Sequence, residues 1–266
     1  MVRIWNFFLE NIERYRKIGD GDILVYTMGK VGSSSIFNNL NRAYQTHNLD
    51  MESPSKYFAS RYSRSILRQS AEMARWKLLH WAFSRRTVDC NKRKIITIVR
   101  DPIARNVSAY FETLSLSQLP EREYLEDDFF VFTNHFVPLL WFDIEFKRNL
   151  HVDVYKHPFN KSEGYTIIDD SNVSILIIQL EKLNGLEQVI QEFLGDPTFC
   201  LGSKSSANMS HDKWYADPYK EMKEGLQLPK QYVELMYSST YTHHFYSAEQ
   251  ISAFENRWVE HGTRQI

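Results

Sequence analysis

Between Ile23 and Leu40 the chain reads ILVYTMGKVGSSSIFNNL. Ile23-Leu24-Val25-Tyr26 is a short apolar run of the kind that forms a buried strand. Met28 to Ser35 is small and polar with a single lysine, and from Ser35 the spacing of Ile36, Phe37 and Leu40 predicts a helix, continuing to Asn48. A strand that runs through a glycine- and serine-rich turn into a helix presents backbone N–H groups to a phosphate. Lys30 adds a point charge and Ser33, Ser34 and Ser35 add hydroxyl donors. The stretch is therefore expected to hold the 5′ end of a phosphorylated nucleotide.

A second unit has the same form. Ile95-Ile96-Thr97-Ile98-Val99 is β-branched throughout, as a strand covered on both faces should be. It ends in Arg100-Asp101-Pro102, and Pro102 suits the first turn of a helix carrying Ile103, Val107, Tyr110 and Phe111. Two more strands are expected at Tyr165–Ile168 and Ser174–Leu180, with a hairpin turn at Asp169 to Asn172. A helix over Leu186–Leu194 closes on Gly195. Phe129 to Lys147 reads as a helix interrupted at Pro138. Late helices start at Leu228-Pro229 and at Ser247, where Ser247-Ala248-Glu249-Gln250 has capping-box spacing. Lys77 to Phe83 reads as a strand ending near His80.

Strands alternating with helices point to an α/β fold with a mostly parallel central sheet flanked by helices. At 266 residues a single domain is the simplest organisation. Residues 1–20 read as an N-terminal helix and 210–266 as a helical C-terminal part. Met1 to Arg16 is amphipathic, suited to packing on the domain or to lying on a membrane surface. It lacks the apolar centre of a signal peptide. No run approaches the roughly 20 apolar residues of a membrane span. A cytoplasmic location is expected, with peripheral association with a membrane complex left open. The net charge of −1 gives no global field for nucleic acid. Cys90 and Cys200 are too few for a disulfide scaffold or a structural zinc site. Arg61, Arg64, Arg68 and Arg75 lie on a basic amphipathic segment, either a solvated face or the wall of an anionic-substrate site.

The first loop departs from the ATP-type pattern, in which lysine follows the second glycine. Here Lys30 precedes Gly32 and hydroxyls follow it. No convincing magnesium-holding acidic residue follows an apolar strand, unless it is Asp169, and both facts count against ATP hydrolysis.

These residues resemble the sulfotransferases that use 3′-phosphoadenosine 5′-phosphosulfate (PAPS). Lys30-Val31-Gly32-Ser33-Ser34 is similar to their 5′-phosphosulfate loop. Arg100 and Ser108, eight residues apart after a strand, are similar to their 3′-phosphate motif. Arg-Asp-Pro followed by Arg105 looks more like the carbohydrate sulfotransferases. The segment ILIIQLEKLNGLEQVIQEFLG resembles the family's later strand and helix. The C-terminal part looks like the capsular polysaccharide synthesis group named for an Asn-Lys-Trp-Tyr-Ser signature; this chain has Asp212-Lys213-Trp214-Tyr215-Ala216, so the first and last residues differ.

The resemblance implies a P-loop-containing sulfotransferase-like fold, PAPS as donor with 3′-phosphoadenosine 5′-phosphate (PAP) as product, and no required metal. It implies transfer to a hydroxyl of a carbohydrate or glycoconjugate acceptor. Lys30 and the N–H groups of Gly32 to Ser35 would stabilise the leaving phosphate, with Val31 also in the cofactor-binding loop, and Arg100 and Ser108 would hold the 3′-phosphate. Lys204, Ser205 and Asn208 are similar to a late loop that closes over the nucleotide, though a solvated loop fits them as well. His80 is the first choice of base, against a structural histidine, and Glu112 is a fallback. A small-molecule kinase and a non-catalytic nucleotide-binding subunit of a polysaccharide assembly complex are the competing functions.

Overall fold

The computed structural model describes residues 23–40, 43–47, 92–113, 124–170, 173–202 and 216–259. The expected N-terminal helix, the basic segment, the strand with His80, and the loop with Lys204, Asn208 and Lys213 to Tyr215 lie outside these residues.

Among the described residues one five-stranded sheet has the order β2-β1-β3-β5-β4. The strands are β1 (Ile23–Tyr26), β2 (Ala43–Thr46), β3 (Arg93–Val99), β4 (Tyr165–Asp169) and β5 (Val173–Gln179). All neighbours run parallel except the β4–β5 hairpin. β3 and β5 occupy the interior, with Ile95, Ile96, Ile98, Ile175, Leu176, Ile177 and Ile178 fully buried. Such uninterrupted apolar strands require cover on both faces. β4 is an edge strand whose Ile168 faces the core and whose Ile167 faces solvent, the alternation expected of a half-covered strand.

The helix predicted from Ser35 to Asn48 is shorter than expected. It forms only α1 (Ser34–Phe37), and the chain then turns back to lay β2 beside β1, Leu24 opposite Tyr44 and Tyr26 opposite Thr46. Asn38 and Asn39 supply the reason. Asparagine competes with the helix through its own side chain, and Asn39 Nδ2 donates to Ser35 O at 2.8 Å.

Among the described residues the expected helices α2 (Pro102–Thr113), α6 (Glu187–Leu194), α8 (Lys230–Tyr237) and α10 (Ala248–Trp258) are present. Gly195 terminates α6 in the left-handed region at φ 69°. Ser247 and Gln250 form the reciprocal capping box of α10. The expected break falls before Pro138, not at it: α3 (Leu125–Phe132) stops, and Pro138 sits in the first turn of α4 (Val137–Trp141). This helix passes through a π-helical turn, Phe142–Phe146, into α5 (Lys147–Leu150). Two helices of the expected helical C-terminal part had not been singled out, α7 (Ala216–Gly225) and α9 (Thr240–Phe245). Ser239 caps α9 by accepting from Thr242 N.

Asp101 fastens these helices to the sheet. It ends β3, is buried, and caps α2 by accepting from Ile103 N at 3.0 Å. The same carboxylate accepts from Tyr237 Oη of α8 at 2.9 Å and from Trp258 Nε1 of α10 at 3.1 Å. Its oxygens thus serve the core. Burial pushes its carboxyl above the ordinary 3.8, against the pull of Tyr237, Trp258 and Ile103. A carboxyl whose pKa rises on folding binds its proton more readily in the folded chain. Its contribution to stability is therefore full below about pH 4 and is lost as pH climbs through the raised value. Asp101→Asn should flatten that pH dependence and cost about 1–3 kcal/mol at neutral pH, since its amide nitrogen cannot accept a bond. Denaturation curves between pH 4 and 7 test this; an unchanged slope would contradict it.

Candidate anion-binding site at the carboxyl edge of the sheet

The order β2-β1-β3 reverses direction at β1. In open α/β sheets the ligand crevice opens at such a point, beyond the carboxyl ends of the strands. The Thr27–Ser33 loop leaves β1 there, and Arg100 leaves β3 beside it.

Buried Met28 and Val31 anchor the loop to the core. Thr27 N donates to Thr46 O at 3.2 Å, extending the β1–β2 pairing by one residue. Lys30 and Gly32 both take positive φ, 72° and 75°. Ser33 returns to right-handed backbone at φ −58°, ψ −26°. Alternation of this kind turns successive N–H groups toward one concave side. The N–H groups of Lys30 to Ser34 make no hydrogen bond to other described residues, which leaves them as donors for a bound anion. Ser33 stands at the α1 N-cap position without bonding the helix; its buried hydroxyl instead accepts from Gln45 Nε2 of β2 at 2.6 Å. Ser34 is half-buried and Ser35 exposed.

Two arginines brace the loop from behind. Arg100 Nη1 donates to Lys30 O at 2.7 Å, and Arg105 Nε donates to Gly29 O at 3.0 Å. Arg100 is itself gripped by its backbone: Tyr241 Oη accepts from Arg100 N at 3.0 Å and donates to Arg100 O at 2.8 Å. Burial raises the Tyr241 phenol well above its ordinary range, so the hydroxyl keeps the proton this double bond needs. Glu181, at the end of β5, accepts from Asp101 N at 2.8 Å and from Tyr246 Oη at 3.2 Å. Its carboxylate is turned inward although the residue reaches the surface, and desolvation raises its pKa.

Arg105, Ser108 and Glu112 share one face of α2 at positions i, i+3 and i+7. Lys30 Nζ reaches Glu112 Oε1 at 3.2 Å. Ser108 lies between Arg105 and Glu112 on this face, and its hydroxyl makes no hydrogen bond to other described residues. Lys30 and Glu112 are both about one-third exposed or more, 33% and 40%, so the pair contributes little to stability and can exchange for a ligand. Tyr219 of α7 closes the wall, its hydroxyl 3.5 Å from Arg100 Nη2 and its ring edge-on to Phe111.

Of the predicted site residues, Lys30, Val31, Gly32, Ser33, Ser34, Ser35, Arg100 and Ser108 thus belong to two adjoining elements at one end of the sheet. Val31 contributes its backbone, since its side chain is buried, and the Ser35 N–H, expected to face the phosphate, is instead taken by Gly32 O at 3.1 Å as the first turn of α1 forms. His80, Lys204 and Asn208 lie outside the described residues. Asp169 is at the opposite end of the sheet, paired with Lys92 at 2.8 Å. Sequence reading missed Tyr219, Tyr241 and Glu181, which are remote in sequence, and gave Arg105 no role, although helical spacing from Ser108 already placed both on one face.

Residues 131–247 match the model of a family described as "Putative capsular polysaccharide synthesis protein". No curated protein and no solved structure matches the chain. The matched stretch contains β4, β5 and Glu181, together with Tyr219 and Tyr241, which meet Arg100, while the loop and Arg100 themselves precede it. Among the described residues no helix is long and apolar enough to cross a membrane.

At Gly32 a Cβ would stand 2.6 Å from Leu180 Cδ1, and the positive φ strains any side chain. Gly29 has nothing within 4 Å of such a Cβ. Gly32→Ala should therefore cost about 1–3 kcal/mol and abolish anion binding by the loop, whereas Gly29→Ala leaves stability near wild type. Thermal melts with and without nucleotide check the contrast; equal effects of the two substitutions would refute it.

Proposed function

We propose that this protein is a PAPS-dependent sulfotransferase that moves a sulfuryl group onto a hydroxyl of a carbohydrate or glycoconjugate. One observation carries the reading. Arg100, eight residues before Ser108, reaches back to Lys30 O at 2.7 Å, which supports reading the β1 loop as a 5′-phosphate site with Arg100 and Ser108 as its 3′-phosphate partners. A nucleotide with phosphates on both the 5′ and 3′ positions fits such a pair better than ATP does. The similarity of residues 131–247 to a capsular polysaccharide synthesis family supports a carbohydrate acceptor.

In this mechanism the loop N–H groups hold the 5′-phosphate. Lys30 leaves Glu112 to meet the bridging oxygen, where negative charge grows as the sulfur–oxygen bond breaks. Arg100 and Ser108 hold the 3′-phosphate with charge-assisted hydrogen bonds. His80 accepts the proton of the acceptor hydroxyl as that oxygen attacks sulfur in line with the departing phosphate. The sulfuryl group carries less charge than a phosphoryl group, so the chemistry does not demand a metal.

The kinase alternative is less well supported by the positions of the acidic residues that follow strands. Asp169 lies at the far end of the sheet, and Asp101 is committed to Ile103, Tyr237 and Trp258. A non-catalytic nucleotide-binding subunit would bind PAP without transfer and would be indifferent to the loss of His80.

Thermal stabilisation by PAP, ADP and AMP tests the assignment. PAP should stabilise most, in proportion to its concentration over Kd. Ser108→Ala should weaken PAP by roughly 10-fold or more, the worth of one hydrogen bond to a charged group, and leave ADP unchanged. Ser108 is the cleaner probe, because Arg100→Ala also frees the Lys30 carbonyl. Equal stabilisation by ADP and PAP would sink the proposal.

A further inference from the structure

We infer that Arg105 is a positioning residue for the anion cradle, acting through the loop backbone and not by contact with the ligand. In a trans peptide the C=O of one residue and the N–H of the next point in opposite directions. Arg105 Nε holds Gly29 O at 3.0 Å, which turns the Lys30 N–H away from α2 and into the cradle. Arg100 does the same for the Val31 N–H through Lys30 O. The two tethers sit on consecutive carbonyls and flank the residue whose φ of 72° an L side chain rarely adopts.

Arg105 is held for this task by a network that runs through Asn106. The residue is buried. Its Nη1 donates to Asn106 Oδ1 at 3.0 Å, within the core. Asn106 Nδ2 donates to His135 O at 3.0 Å, at the α3–α4 junction, and lies 3.4 Å from Tyr232 Oη of α8. Tyr232 Oη in turn meets His135 Nδ1 at 2.7 Å. The guanidinium is thus fixed before any ligand arrives, and the loop is fixed by it. Such preorganisation lets donors meet a charge without rearrangement.

The inference rests on the reading of the loop as a 5′-phosphate cradle, and not on which nucleotide it holds. The test compares wild type, Arg105→Lys and Arg105→Gln with AMP, 3′-AMP and PAP as probes, together with the melting temperature of each form. Lysine keeps the charge but cannot hold Gly29 O and Asn106 Oδ1 in one planar fork. Arg105→Lys should weaken AMP and PAP by about 10-fold or more while 3′-AMP is unchanged, a selectivity that should hold whatever melting temperature is lost with the Asn106 bond. Arg105→Gln should lose at least as much, and it supplies the measurement if the lysine form folds poorly. Full affinity in the lysine form would mean that charge alone matters, and would overturn the inference. Parallel loss of stability and of all three ligands would reduce Arg105 to a structural role and overturn it too. Wild type binding AMP but not preferring PAP would refute the PAPS reading and leave the Arg105 comparison intact; wild type binding no 5′-phosphate at all would overturn both.

Discussion

Arg100 and Asp101 leave the end of β3 on opposite sides, and the rest of the carboxyl edge depends on that divergence. Asp101 goes inward, where one buried carboxylate caps α2 and takes hydrogen bonds from α8 and α10. Arg100 goes outward to the β1 loop, its backbone fixed by Tyr241. Removing either partner of a buried charged network leaves an unsatisfied group, which costs far more than the bond itself contributes. The two residues therefore tie core stability and loop geometry to the same strand end.

The loop gains its chemistry from the way its carbonyls are spent. Lys30 O and Gly29 O are given to arginines, which leaves the N–H groups of Lys30 to Ser34 without partners among the described residues. A loop that satisfied its own donors would be more stable and would bind nothing. Lys30 shows the same logic in its backbone, held at a positive φ that a lysine does not prefer. Strain of this kind persists only where surrounding contacts impose it. The Lys30–Glu112 pair, half open to solvent, is the readily exchanged part of an otherwise rigid arrangement.

How much of this was legible in the sequence follows from the range of each interaction. β1, β3 and β5 announced themselves because strands buried on both faces must be apolar without interruption. The Gly195 terminus and the Ser247 capping box were legible because they are local. The length of α1 was misjudged because Ile36, Phe37 and Leu40 imitate a longer helix, while Asn38 and Asn39 end it and β2 competes for the following residues. The tethers made by Arg105 and Tyr241 were not legible for a different reason: their partners lie 76 and 141 residues away in the chain, and nothing local marks such a contact. The pairing of Lys30-Val31-Gly32-Ser33-Ser34 with Arg100 and Ser108 was drawn from resemblance, and the fold brings the two motifs to one end of the sheet.

The central claim is that one crevice receives two phosphates of the same nucleotide. A crystal structure of the protein with PAP tests it most directly. The account predicts the 5′-phosphate within hydrogen-bond distance of the Lys30 to Ser34 N–H groups, Lys30 Nζ moved from Glu112 onto it, and the 3′-phosphate on Arg100 and Ser108. PAP bound with its 3′-phosphate in solvent, or bound away from the β1 loop, would contradict the account.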